Sequence, residues 1–292
     1  MAPRPGDRVV VRHLLSSGAA TDVIGRLVDD GDPLIVERDG ARHAIARAAI
    51  VAFKAVPPRP VRASEIRSLD LARARGWLSV EHEWIDGWLC RSAPGITGNR
   101  ANSATALHPE ASLDRLDGVR GWFAARGQPL RLSLSERLFR DPPRTAAATD
   151  VLTAPVASAG VAVTGVTLTE RPDEGWIACT GAAPELVCAV DGAVRFASIV
   201  ADSQTVAAGR LALTSDAAGR PWGGIGSVVV ALEYRRRGLA TRIVGALAAA
   251  AADCGATHTY LEVERENLAA SRLYRGLGFA PHHTYGYWTE PS

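Results

Sequence analysis

The chain has 292 residues, is 47% hydrophobic, and carries 33 Lys and Arg against 31 Asp and Glu, a formal net charge of +2. That balance is too small to argue for nucleic acid or a membrane surface as a partner, and no apolar run is long enough to span a bilayer. The length leaves room for two or three domains. The opening MAPRPGDRVVVRH lacks the charged, apolar, then small pattern of a secretion signal. The four cysteines, Cys90, Cys179, Cys188 and Cys254, form no CxxC pair. Free thiols in a reducing cytoplasm are expected, not a disulfide frame or a zinc site. Lys54 is the only lysine, so single arginines carry little functional weight.

Residues 1–56 read as five short strands, 8–14, 23–28, 34–38, 43–46 and 50–55. Turn chemistry at Gly31-Asp32-Pro33 and Asp39-Gly40 separates them. Five strands in so few residues suggest a small SH3-like β-barrel. Pro57-Pro58-Arg59-Pro60 makes residues 57–61 a stiff linker.

Residues 62–165 are less regular. A helix is expected over 63–75, capped by Ser64, with Ile66, Leu69 and Arg73 at helical spacing. A strand is expected at 87–91, a helix over 113–126 ended by Gly127, a strand at 130–134, and a loop over 141–149.

Residues 166–292 alternate strand and helix. Strands are expected at 194–200, 206–213 and 225–230, with turns at Asp202-Ser203 and 216–219. A helix over 238–253 presents Leu239, Ile243, Leu247 and Ala251 on one face, and Gly255 ends it. A strand at 259–263, a helix at 268–277 and a strand at 284–288 complete the segment.

Chemistry concentrates between Val228 and Phe279. Arg235-Arg236-Arg237-Gly238-Leu239-Ala240-Thr241 follows an apolar strand, Val228-Val229-Val230, and opens a helix. First-turn amides there lack internal partners and sit at the positive end of the helix dipole, which suits a pyrophosphate. The other reading is a basic loop before an ordinary helix. Asn267 stands where a cap belongs, and Tyr274 lies one turn beyond Ala270, where it either packs or reacts. Alternation places Glu262 and Glu264 on one strand face, opposite Leu261 and Val263. If that face lines a cleft, Glu262 is a candidate base with its pKa raised by burial; otherwise the face is simply solvated. His282-His283 reads as loop or acceptor-site surface.

This segment resembles the GCN5-related N-acetyltransferases, the GNAT superfamily. Arg235, Gly238 and Ala240 match the family's Q/R-x-x-G-x-G/A signature. Asn267, Ala270 and Tyr274 match N-x-x-A-x-x-x-Y, and Leu273-Tyr274 with Gly278-Phe279 matches its ending. The resemblance covers residues 166–292. It implies a mixed αβ fold with a central mixed sheet, and acetyl-CoA as the acetyl donor. The backbone of 228–230 would meet the pantetheine arm, the amides of 235–241 the pyrophosphate, and Tyr274 would be the general acid. Ribosomal-protein N-terminal acetyltransferases carry a similar Leu-Glu-Val strand whose Glu is the base, which implies that role for Glu262.

Within 62–165, Trp88, Arg91, Thr97 and Arg100-Ala101-Asn102-Ser103 resemble a pattern of two-part bacterial GNAT-like proteins, so a degenerate GNAT-like half without a second cofactor site is expected. Arg91, Asn102 and Ser103 either face the acceptor or brace a loop. The implied activity is acetyl transfer to a primary amine, on a small metabolite or a protein N-terminus, by direct attack and with no metal. The alternative is a non-catalytic acetyl-CoA sensor whose barrel docks a partner. The sequence leaves oligomeric state, a homodimer included, open.

Overall fold

The computed structural model describes residues 3–38, 40–57, 59–159 and 164–291, the side chains of 158 and 159 excepted. It divides into two compact units, Met1–Pro60 and Val61–Ser292.

In the first unit, β1 (Arg8–Leu14), β2 (Ala20–Asp29), β3 (Leu34–Arg38), β4 (Ala41–Ile45) and β5 (Ile50–Ala55) form one antiparallel sheet in the order β4-β3-β2-β1-β5. Alternating residues, Val9, Val11, Val23, Leu27, Leu34, Val36 and Ile45, build its core. Pairing with β1 and β3 recruits flanking Ala, Thr and Arg into β2 and β4, which start earlier than their β-branched runs suggest. The five short strands expected of residues 1–56 are all present, joined into one antiparallel sheet. Asp39 of the expected hairpin turn and Pro58 of the expected linker lie outside the described residues.

The second unit begins with α1 (Ala63–Arg75), β6 (Glu81–Ile85), β7 (Trp88–Ser92), β8 (Ala104–Ala106), α2 (Asp117–Ala124), β9 (Arg131–Ser135), β10 (Ala146–Pro155) and α3 (Val156–Ala159). It continues with β11 (Thr167–Thr169), α4 (Glu174–Thr180), α5 (Pro184–Val187), β12 (Ala193–Ala201), β13 (Gln204–Ser215), β14 (Pro221–Val230), α6 (Leu239–Asp253), β15 (His258–Glu264), α7 (Leu268–Gly276) and β16 (Ala280–Thr289). The strands form one mixed sheet in the order β11-β12-β13-β14-β15-β10-β16-β9-β8-β7-β6. Among the described residues no helix is long and apolar enough to cross a membrane.

Several local expectations are corrected. Arg62, not Ser64, caps α1, and its backbone N–H donates to Glu65 Oε2 at 2.7 Å. A carboxylate three residues into the helix thereby satisfies the cap from inside. α2 starts at Asp117 and not at 113, because the Asp114 amide donates to Ser112 Oγ at 3.2 Å and holds the preceding residues in a turn. The expected loop over 141–149 ends early: β10 begins at Ala146, with Ala147 at φ 52 in an irregular pairing against β16.

The sheet reads alike from both sides of its centre. β6, β7 and β8 are antiparallel, β8 and β9 parallel, and β9 pairs antiparallel with β16. β12, β13 and β14 are antiparallel, β14 and β15 parallel, and β15 pairs antiparallel with β10. Each parallel step is bridged by a helix, α2 or α6. The strand that follows β9 in the chain pairs with β15, and the strand that follows β15 pairs with β9. The two halves thus exchange strands, and the sheet crosses the boundary expected at residue 165.

α1 and α6 cover opposite faces. Leu69 and Ala72 of α1 pack on Val151, Tyr260 and Tyr285. Ile243, Leu247 and Ala251 of α6 pack on Leu211, Ile225, Leu261 and Val263. Burying these side chains is the main force holding the layers together; truncating Leu247 to Ala would cost roughly 2–5 kcal/mol.

Candidate active site

The site begins where two strands part. β14 and β15 pair in parallel only from Trp222–His258 to Ile225–Leu261. Beyond that pair β14 runs on to Val230 beside β13 alone, with a register shift and Ser227 at φ 50. Backbone groups on the inner edge of this fork have no strand partner, and the Val230 carbonyl accepts from a side chain instead.

On the α6 side the fork opens into a groove of about 790 Å³. Val228, Val229 and Val230 form one wall, and Arg235, Arg236, Gly238, Leu239, Ala240 and Thr241 form its end. Asn267, Ala270 and Leu273 of the α7 segment form the other wall. Gly238 is the N-cap of α6 at φ 76, a left-handed conformation that an L side chain adopts only with strain. A Cβ there would meet nothing within 4 Å, so the space in front of the helix is open. The amides of residues 236–241 have no hydrogen-bond partner among the described residues. Six unpartnered donors thus precede and open a 15-residue helix, at the end where its dipole is positive and a negative group is favoured.

Not every expected groove residue lines it. Arg235 Nε donates to the Val230 carbonyl at 3.2 Å and ties the loop to the strand. Arg237 does not line the groove; its guanidinium lies 5.1 Å from the Tyr234 ring centre. Asn267 Oδ1 accepts from the Ala270 amide at 3.1 Å and caps α7. Tyr274 is 9% exposed and packs edge-on to Phe279 at 6.0 Å, behind the groove wall formed by Ala270 and Leu273. Its hydroxyl has no hydrogen-bond partner among the described residues, and burial raises its pKa.

Glu262 is the first residue of β15 past the fork, on the α1 face. It accepts from Arg73 Nη2 at 3.0 Å and from the Tyr285 hydroxyl at 2.5 Å, and it pairs with Arg100 Nη2. All three donors fall on Oε2. Burial alone would raise this carboxyl, but the guanidiniums of Arg100 and Arg73 outweigh it and hold the group well below the usual carboxylate range. The expectation of a raised pKa is therefore corrected. Desolvation is present, but two buried cations reverse its effect.

The network continues inward. Arg73 also pairs with Asp70, which accepts from Ser135 Oγ at 2.6 Å and lies 2.9 Å from His283 Nε2. His283 is buried in β16 and not on a loop or an acceptor surface. His282 Nδ1 lies 2.7 Å from His283 Nδ1; burial first, then His283, lowers its pKa to about 4.

On the same face Glu262 lines a cleft of about 340 Å³ with Trp77, Thr97, Arg100, Thr149, Glu264, Tyr285 and Tyr287. Arg100 lies 5.1 Å from the Trp77 ring centre. Trp77, Thr97 and Arg100 come from the N-terminal half, so that half walls the cleft beside the C-terminal fork. Asn102 braces the loop carrying Arg100: its Oδ1 accepts from the Ala93 amide at 2.8 Å, and its Nδ2 donates to the carbonyls of Ile96 and Gly98. Arg91 is likewise internal, donating to Thr105 Oγ1 and the Trp77 carbonyl. Ser103 is fully buried. Of the residues weighed between acceptor and brace, Asn102 and Arg91 brace the loop, and the Ser103 hydroxyl is buried without a hydrogen-bond partner among the described residues. The sequence reading missed Arg73, Trp77, Arg100, Tyr285 and Tyr287 as site residues. Arg73, expected on the core side of α1, was the available signal, since a buried arginine requires an anion.

The family model described as the C-terminal part of the probable histone acetyltransferase Rv0428c matches residues 63–288. The model of the Rv0428c N-terminal Sm-like domain matches residues 3–54. The probable histone acetyltransferase Rv0428c of Mycobacterium tuberculosis is 32% identical over 291 residues, covering 96% of this chain and 94% of that protein. An uncharacterized N-acetyltransferase of Bacillus subtilis, YobR, is 42% identical over 65 residues, 21% of this chain and 26% of its own length. A GCN5-related N-acetyltransferase from Kribbella flavida shares the fold, with a TM-score of 0.58, 20% identity, and coverage of 79% of this chain and 97% of that one.

Proposed function

This chain belongs to the Rv0428c acetyltransferase family, and from that premise we propose that it transfers the acetyl group of acetyl-CoA to a primary amine. The observation that carries the reading is the row of unpartnered amides at 236–241, opening onto a groove beside a strand fork. The donor set fits the group. Backbone N–H groups and a helix dipole suit a pyrophosphate, and the inner edge of Val228–Val230 offers strand-like hydrogen bonds to an amide-bearing arm.

Acetyl-CoA supplies an activated acyl thioester. The chain's own residues do the rest. The amides of 236–241 bind the pyrophosphate, with Arg235 and Arg236 adding charge. The fork lets the reactive end face the cleft on the α1 side, where the amine enters between Trp77, Arg100 and Glu262. Tyr274, a phenol protonated at neutral pH and pushed further that way by burial, is the group that returns a proton to the departing thiolate. Glu262, held by Arg73, Arg100 and Tyr285, fixes the cleft's charge and orients the amine through its remaining oxygen.

The acceptor is a small-molecule amine, a protein N-terminus or, from the name of the M. tuberculosis relative, a protein amine such as a histone presents. Release of free thiol from acetyl-CoA on addition of primary amines tests the reading. Thiol release independent of any amine would overturn it.

A further inference from the structure

Building on the acetyl-transfer reading above, we infer that Glu264, not Glu262, is the carboxylate that takes the proton from the attacking amine. The two carboxylates stand two residues apart on one face of β15, both past the last parallel pair with β14, and both line the same cleft of about 340 Å³. Their surroundings differ. Glu262 has a side chain only 8% exposed, and its Oε2 accepts from Arg73, Arg100 and Tyr285 at once. A proton on either oxygen would neutralise the carboxylate and leave the guanidiniums of Arg73 and Arg100 without their shared counter-charge. Glu264 is exposed, and its side chain makes no hydrogen bond or ion pair among the described residues. Its backbone neighbour across the ladder is Thr149 of β10, a small side chain that leaves the carboxylate room to swing into the cleft.

The step balances without any further reagent. The ammonium of the acceptor gives a proton to Glu264. The freed nitrogen lone pair forms the C–N bond to the acetyl carbonyl carbon as the C–S bond breaks. The thiolate leaves with the bonding pair and takes its proton from Tyr274; the amide nitrogen sheds its second proton to water as water reprotonates the phenol, and Glu264 gives its proton to solvent. Glu262 stays ionised throughout as a positioning residue.

The test compares wild type with Glu264→Gln and Glu262→Gln, using two nucleophiles small enough for any acceptor cleft. Methylamine is almost wholly protonated at neutral pH and needs a base. Hydroxylamine is already unprotonated there and does not. With acetyl-CoA saturating, Glu264→Gln should lower kcat/KM for methylamine about 10²-fold more than for hydroxylamine, the size of a lost general base. Glu262→Gln should lower both together. Equal methylamine rates in wild type and Glu264→Gln, or equal loss of both nucleophiles in Glu264→Gln, would overturn the assignment. So would a methylamine-selective loss in Glu262→Gln alone, which returns the role to that residue. Wild type inert toward both nucleophiles sinks the acetyl-transfer reading itself, a result distinct from the others.

Discussion

Arg100, in the loop before β8, and Glu262, just past the fork in β15, form an ion pair that joins the two halves of the second unit at the cleft. The guanidinium also lies over Trp77 and is one-third exposed, while the Glu262 side chain is nearly buried. The cleft beside a C-terminal strand thus depends on a loop of the N-terminal half. Arg100→Gln should therefore leave acetyl-CoA affinity unchanged while raising KM for an amine acceptor. Steady-state kinetics with methylamine checks this.

Arg73 is the more costly position. It is buried between Asp70 and Glu262, and its removal takes a buried cation from both, leaving Asp70 to Ser135 and His283 and Glu262 to Arg100 and Tyr285. Arg73→Met should cost about 3–5 kcal/mol and lower Tm by about 6–20 °C for a unit of this size. Differential scanning calorimetry is the check. An unchanged Tm would mean that the pair is not formed in solution.

Tyr274→Phe separates chemistry from packing. The ring stays against Phe279 and only a hydroxyl without a protein partner is lost. Acetyl-CoA affinity and Tm should hold, while kcat falls roughly 10²-fold or more. A packing role alone would leave kcat unchanged.

His282 sets a pH dependence. Burial, then His283, lowers its pKa from 6.5 to about 4. Between those values the unfolded chain binds a proton that the folded chain does not. Stability is therefore fully present above pH 6.5 and declines as pH falls toward 4. With the ring partly exposed, the contribution is about 1–2 kcal/mol. Urea unfolding at pH 7 and pH 5 should show a smaller loss for His282→Gln than for wild type; an equal loss would contradict the prediction.

The C-terminal groove was legible because its determinants are local. Gly238 marks a left-handed cap, Asn267 a capping side chain, and Ala270 a wall without bulk, each readable within one turn of chain. The acceptor cleft was not, because its partners meet only through the exchanged strands. Nothing near Glu262 in the sequence announces Arg73 or Arg100, so burial alone suggested a raised pKa where two distant cations lower it. β10 was missed for a related reason. Its Ala- and Thr-rich stretch has weak strand signals, and its place between β15 and β16 is imposed by pairing. The second GNAT-like half was expected from the pattern at Trp88, Arg91, Thr97 and Arg100–Ser103; the exchange of strands between the halves, a property of strand order, was not.

Calorimetric titration with acetyl-CoA of the wild type and Gly238→Trp tests the central claim most directly. The substitution forces an L side chain into φ 76 and fills the open space before α6. The account predicts one site per chain in the wild type and none in the variant, with the fold retained by circular dichroism. No binding by the wild type, or undiminished binding by the variant, would contradict it.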